Sequence, residues 1–147
     1  MNLFSESIIF EAVIEMLAFL SSMMTSNDDG MLLSNAAKQG DAATVRMMLS
    51  SPDSRSFINY QGPDRNTPLH FAVGFQRVAV SKLLIEGRCQ VDLPTAYGFT
   101  PLHVCAEIGD ASFTEKLIAA RCNVDLQTKD GYTPLHIAKA ERIERSN

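Results

Sequence analysis

Apolar residues recur at helical spacing in several short segments of this chain, and turn signals separate the segments. Two such faces are made by Val45, Met48 and Leu49 and by Phe113, Leu117 and Ile118. Spacings of three and four residues predict helices that turn these side chains inward. Ahead of the second face stands Gly109-Asp110, where glycine ends one helix and aspartate caps the next. The pattern therefore predicts short, paired helices.

The tetrapeptide Thr-Pro-Leu-His occurs three times at intervals of 33 residues. Its copies are Thr67, Pro68, Leu69 and His70, then Thr100, Pro101, Leu102 and His103, then Thr133, Pro134, Leu135 and His136. Each threonine can cap a helix whose first residue is the proline. Leu69 and Ala72 fall on the buried side of that helix, and Cys105 fills the alanine position in the next copy. A fixed period of this size predicts a stacked repeat.

The tetrapeptides and their period resemble the ankyrin-repeat family, from about Met31 to the C-terminus. The resemblance implies an all-α repeat solenoid of helix-turn-helix units joined by β-hairpin loops. The units are expected at about residues 31–61, 62–94 and 95–127, with a partial unit at 128–147, after a separate segment of residues 1–30. Strand-like Val124–Leu126 and the turn at Asp130-Gly131 mark one such hairpin.

The first and last units depart from the pattern. Ala36–Asp41 matches Cys105–Asp110, but the loop Ser51–Ser56 that follows is longer than in other units. The fourth unit turns charged after Ala138 and stops at Asn147. Two readings stay open: a polar end cap on the array, or a shortened form of a longer repeat protein.

Residues 1–30 hold five acidic and no basic residues and carry a charge of −5, whereas the other residues have 13 basic and 12 acidic side chains, so the chain's net charge of −4 comes from this segment. Phe4–Leu20 is apolar but carries three glutamates, and neither a secretory signal nor a membrane span fits it. It is expected to form an amphipathic helix. Val13–Leu17 resembles Thr44–Met48, and Asn27–Gly30 could form a hairpin tip. The favoured interpretation is a degenerate half-repeat whose helix caps the stack. The alternatives are a helix that binds a partner or forms a dimer, and a targeting segment.

The composition fits one domain, and three cysteines without a signal peptide favour a reducing compartment, the cytoplasm or the nucleus. Cys89 and Cys122 recur one unit apart, roughly 10 Å, too far for a disulfide. They are expected to be free and partly exposed. The repeat region is nearly neutral without a basic stripe, which argues against nucleic acid.

No catalytic chemistry is expected. The three histidines lie one unit apart and cannot share a metal ion, and the family resemblance implies that each bonds its own threonine. The sequence has no Gly-rich phosphate loop, Cys-x-x-Cys pair or nucleophile elbow. We therefore expect neither a metal, a cofactor nor a small-molecule substrate.

The family resemblance implies a concave groove lined by hairpin tips and first helices. Carried over by position, its residues are Lys38, Gln39, Asp64, Arg65, Asn66, Phe75, Tyr97, Phe99, Glu107, Ile108, Lys129, Asp130, Tyr132 and Glu141. The five large apolar ones resemble interface hot spots. Alternatively, the hairpin rings Tyr97, Phe99 and Tyr132 stack on one another as cross-strand pairs.

Three arginines replace expected glycines. Arg65 stands in a hairpin turn, so that tip is expected to be distorted or mobile. Arg88 and Arg121 follow second helices, where they strain or remodel the turn. The family resemblance also implies that Asp92 and Asp125 are sites of hydroxylation. The alternative is that both residues have a structural role in their loops.

The chain is expected to be a non-enzymatic adaptor for a protein partner. The alternatives are a truncated or regulatory fragment of a larger ankyrin-repeat protein, or self-association through Phe4–Leu20. Unless this helix self-associates, the chain is expected to be a monomer, and no membrane contact is expected.

Overall fold

The computed structural model describes the backbone of residues 3–23 and 26–147, and the side chains of residues 6–18 and 27–147. Within them the regular structure is helical. The helices are α1 (Leu3–Met23), α2 (Ser26–Gln39), α3 (Ala42–Leu49), α4 (Ser54–Phe57), α5 (Pro68–Gly74), α6 (Val78–Glu86), α7 (Pro101–Ile108), α8 (Ala111–Ala119) and α9 (Pro134–Ser146). Each unit has a first helix (α2, α5, α7 or α9), and the first three units have a second helix (α3, α6 or α8).

The Thr-Pro-Leu-His tetrapeptide starts its helix by a reciprocal cap. The Thr67 hydroxyl accepts the His70 N–H at 3.3 Å, and the Thr67 N–H donates to His70 Nδ1 at 3.1 Å. The same arrangement occurs at Thr100 and at Thr133, each time with proline at the start of the helix. This satisfies backbone donors that the helix cannot pair by itself. The predicted helix starts and threonine–histidine bonds are confirmed.

The units stack through their first helices: α2 packs on α5, α5 on α7, and α7 on α9. Each second helix packs on the first helix of its own unit, and α3 also packs on α6. The predicted core positions Leu69, Ala72 and Cys105 are buried to within 1% of full burial. Val45 and Phe113 are buried to the same degree, so the packing confirms the inward faces of α3 and α8 at these positions.

The loops between units contain no strand among the described residues, although Val124–Leu126 was expected to be strand-like. Each loop tip is instead a tight turn held by few bonds. Thr95 N–H donates to Phe99 O at 2.8 Å, and Gly98 N–H donates to Thr95 O at 3.0 Å. The next tip repeats this at Thr128. The arms beyond this pair are too short to extend a ladder, so the expected β-hairpins are turns without paired strands.

Left-handed backbone occurs where units turn, and not only at glycine. Gly40 and Gly109 end first helices at φ 77° and 79°, and Gln76 takes the equivalent place at 58°. Arg65 holds φ 60° in the tip position of Gly98, and closes its turn by an N–H bond to Gly62 O at 2.8 Å. The expected distortion of this tip is therefore wrong. Arg88 and Arg121 keep their turns at φ 60° and 61°, with the strain that this costs a residue with a Cβ.

The N-terminal segment forms the predicted helix, as α1, but departs from the other predictions made for it. Asn27–Gly30 lies inside α2 and is not a hairpin tip, because the helix begins at Ser26. The described side chains of α1, residues 6–18, are all exposed, so they do not cover the stack as a cap would. Phe4 and Leu20 lie outside the described side chains. None of the helices described here has the length and apolarity needed to cross a membrane.

Two burial predictions are also wrong. Ile118 was expected to face inward and is 52% exposed, because no second helix of the fourth unit covers it in the described structure. Cys89 was expected to be partly exposed and is buried, since its side chain belongs to the hydrophobic core. The long loop of the first unit contains the short helix α4, and Phe57 at its end is buried in the core.

Candidate partner-binding surface

Backbone bonds between units join the loop tips into a continuous row. Ala96 N–H donates to Asp64 O at 2.9 Å, and Lys129 N–H donates to Tyr97 O at 3.1 Å. The Gln61 amide adds donor bonds to Arg65 O and to Pro94 O, both at 2.9 Å. Each tip is therefore fixed relative to the next, and the side chains that it carries need little ordering before they bind.

The histidines reinforce this row from inside. His70 Nε2 lies 2.9 Å from Phe99 O, and His103 Nε2 lies 2.9 Å from Tyr132 O in the following unit. Since Nδ1 accepts a backbone N–H, Nε2 carries the proton and donates. Burial lowers the pKa of His70 to about 4, against a smaller opposing effect of the Phe99 bond, and burial also lowers the pKa of His103. Both imidazole rings are thus neutral and join neighbouring units through the bond that Nε2 donates.

The five large apolar residues predicted for the groove differ in how far their side chains are exposed. Tyr97 and Tyr132 are 70% and 55% exposed, and Phe75 is 47% exposed. Phe99 and Ile108 are only half-buried. Phe99 packs on His103 with ring centroids 5.6 Å apart, and Tyr132 meets His136 edge-on at 6.5 Å. Phe99 and Tyr132 thus pack on histidines of their own units, and no two of the loop-tip rings Tyr97, Phe99 and Tyr132 are stacked on each other in the described structure.

A second set of predicted residues lies at the C-terminal ends of the first helices. The Lys38 ammonium lies 5.3 Å from the centroid of the Phe75 ring, which joins the first two units by a cation–π contact. Arg145 Nη2 donates to Glu107 O at 3.3 Å and to Ile108 O at 3.0 Å. A guanidinium at the end of α7 suits the negative end of a helix. It also covers part of the surface that Ile108 was expected to offer.

The remaining predicted residues are placed as follows. Gln39, Asp64, Arg65, Lys129 and Asp130 are exposed, Asn66 is half-buried, and half-buried Glu141 lies 4.0 Å from Arg145 in an ion pair. The contacts thus gather the predicted residues into two rows, one of loop tips and one of helix ends.

A further row of candidate residues was missed. It consists of the residue that follows each histidine of the repeat and its counterpart in the first unit: Asn35, Phe71, Val104 and Ile137. Asn35 and Phe71 line a cavity of about 280 Å³ together with Asp64 and Asn66 of the neighbouring loop tip. The sequence could have indicated these residues, because the position after the histidine varies between units while the rest of the motif is constant. A repeat surface can differ between units at such a position.

Comparison with protein families supports the architecture. Residues 33–112 match the family described as ankyrin repeats in three copies, and residues 97–129 match a single ankyrin repeat. The first match alone covers more than half of the chain. The chain belongs to the ankyrin-repeat family. Ankyrin repeats are generally modules of protein–protein interaction, which fits a surface that presents fixed, exposed side chains.

The side chains of this ankyrin-repeat chain that could bind a metal ion or act as nucleophiles are not arranged for such a role in the described structure. No three His, Cys, Asp or Glu side chains of the described residues are grouped as a metal site. Burial raises the pKa of Cys89 and of Cys105 to about 12 and also raises that of Cys122, so these thiols are poor nucleophiles.

The Asp92 carboxylate accepts the Asn123 N–H at 2.9 and 3.0 Å and so links two ankyrin units. Its counterpart Asp125 is exposed. The bond gives Asp92 the structural role that was weighed against modification. Hydroxylation of the two residues stays a prediction.

Proposed function

We propose that this chain is a non-enzymatic adaptor that binds a protein partner in a groove between the row of loop tips and the first helices. The observation that carries the proposal is the pair Tyr97 and Tyr132 on a hydrogen-bonded row of tips. Each ring is more than half exposed, and the backbone beneath is fixed to the neighbouring unit. Large rings on a rigid support give contact area at a small cost in conformational entropy.

The surroundings of these rings fit a protein partner. Phe75 supplies an apolar patch under the Lys38 ammonium. Exposed Asp64 and Asp130 and exposed Arg65 and Lys129 place charges of both signs along the tips. An apolar centre with a mixed polar rim is typical of transient protein interfaces. The cytoplasmic or nuclear location and the absence of catalysis stay predictions that agree with this role.

The proposal is tested by affinity capture from cell lysate with mass spectrometry. The bait is the full chain beside a Phe75→Ala/Tyr97→Ala variant that circular dichroism shows to be folded. Met47→Ala is the matched control, since Met47 is a 67% exposed apolar residue on a second helix. We expect one set of proteins to be lost with the double variant and kept with the control. The same proteins captured by all three baits would contradict a groove-binding role.

A further inference from the structure

The C-terminal end of the stack carries an apolar groove of about 380 Å³. It is lined by residues of α7, α8 and α9 and of the loop between the last two, among them Leu102, Ile118, Val124 and Leu135. Leu135 is 63% exposed, whereas its counterparts Leu69 and Leu102 are 1% and 6% exposed. The same side chain that is core in two units is therefore open to solvent in the fourth.

Comparison of the units shows which element would cover this groove. In the first three units a second helix packs on the first helix. The fourth unit, as the structure describes it to Asn147, has α9 and no second helix. A helix placed on α9 as α8 lies on α7 would cover Leu135 and Ile118. The groove is thus shaped for a helix with the residue pattern of α3, α6 and α8.

Helix α1 has that pattern. When Glu15 is aligned with Arg46, Lys82 and Glu115, the exposed charged position of the second helices, Leu17 falls at the position of Met48, Leu84 and Leu117. All three counterparts of Leu17 are buried. Ala12 falls at the position of Ala43, Ala79 and Ser112, all of which are exposed. The helix therefore has the inward and outward positions of a second helix.

Exposure and charge support the same pairing. Ile14 and Leu17 of α1 are 50% and 58% exposed, so the face that the alignment turns inward has no cover in the described structure. Arg142 lies one turn beyond Ala138 on α9 and continues the side of that helix that lines the groove. Helix α1 carries three acidic and no basic residues, so its net negative charge favours its approach to the end of α9 that bears this cation.

We propose that α1 of a second copy of this chain docks in the C-terminal groove as the second helix of the fourth unit. The contact joins different surfaces of two copies, so association is head to tail and each copy keeps a free groove or a free helix. This inference is independent of the partner-binding groove, because its surfaces lie at the end of the stack and on α1.

The test measures molar mass by light scattering and sedimentation over a wide range of chain concentrations. We expect the wild-type chain to grow in mass with concentration. Leu17→Asp and Leu135→Asp should each raise the dissociation constant more than about tenfold. Ala12→Asp, on the same helix but at an outward position, should associate like the wild type. Both target residues are exposed in the single chain, and circular dichroism checks that the variants fold.

Mixing the two defective variants decides the geometry. The Leu17→Asp chain keeps an intact groove and the Leu135→Asp chain keeps an intact α1, so an equimolar mixture should form a dimer that neither forms alone. A wild-type chain that is monomeric at every concentration would overturn the proposal. Undiminished association of Leu135→Asp would indicate pairing of α1 with α1 and also overturn it, as would a mixture that stays monomeric or an Ala12→Asp chain that fails to associate.

Discussion

His103 holds the third unit to the fourth through Tyr132. Its Nε2–H donates to Tyr132 O at 2.9 Å, while Nδ1 accepts the Thr100 N–H at 3.1 Å, and the ring is fully buried. His136 makes the equivalent bonds to its own threonine but is exposed, and among the described residues its Nε2 bonds no carbonyl of a further unit. The two histidines thus separate the contribution of helix capping from that of joining units.

Replacement of His103 by alanine should destabilise the fold far more than replacement of His136. His103→Ala leaves the buried Thr100 N–H unpaired, removes one of the two bonds to Tyr132 O and replaces a buried ring by a cavity, and we expect a loss of about 3 kcal/mol in the free energy of unfolding. His136→Ala removes an exposed cap and should cost about 1 kcal/mol. Urea unfolding followed by circular dichroism measures both. Equal losses would show that the bond to Tyr132 contributes nothing beyond the cap.

The free energy of unfolding should decrease as the pH is lowered from about 6.5 to 4. The pKa of His70 is about 4 in the folded chain and 6.5 when unfolded, so in this window the unfolded state binds more protons. The neutral folded state is therefore favoured above pH 6.5, and up to about 3 kcal/mol is lost as pH falls to 4. The lowered pKa of His103 acts in the same direction.

The check is the free energy of unfolding across this pH range for the wild type and for His70→Gln. The glutamine variant should be less stable at neutral pH but show a shallower pH dependence. A variant with the full slope of the wild type would remove His70 as its cause.

Glycine at the strained turn of the second unit should stabilise the chain. Arg88 is exposed and holds φ 60°, a conformation that costs a residue with a Cβ roughly 1–2 kcal/mol. Glycine relieves this strain but gains freedom in the unfolded state, so Arg88→Gly should add up to about 1 kcal/mol. Arg46→Gly in the interior of α3 is the control and should lose about 1 kcal/mol. Thermal unfolding measures both, and a destabilised Arg88→Gly chain would contradict the strain.

Two glycines at equivalent loop tips should tolerate alanine to different degrees. An added Cβ at Gly98 would lie 2.7 Å from Lys129 N, whereas at Gly131 it meets nothing within 4 Å. Both have positive φ, so Gly131→Ala should cost about 1 kcal/mol from backbone strain alone. Gly98→Ala must also disturb the bond between tips and should cost about 3 kcal/mol. Denaturant titration gives the difference, and similar costs would mean that the tips are not held together as described.

The sequence predicted most of the fold because its signals are local. A threonine that caps a helix and a histidine that bonds that threonine lie three residues apart, so they act within any single unit. The period then implies stacking, since one unit cannot bury its apolar face alone. The candidate surface was predicted less completely. Tyr97 and Tyr132 are exposed as expected, but Arg145 lies 37 residues from Ile108 and covers its carbonyl, which no local pattern reveals.

The sequence by itself determined where the helices of the repeat start and how the units recur along the chain. Only the tertiary structure decided which of several equivalent residues are buried. Leu69 and Leu135 have the same motif and the same helix cap, yet one is core and the other faces water. The physical reason is that burial depends on whether another helix lies on the residue, whereas helix capping depends only on residues within one turn.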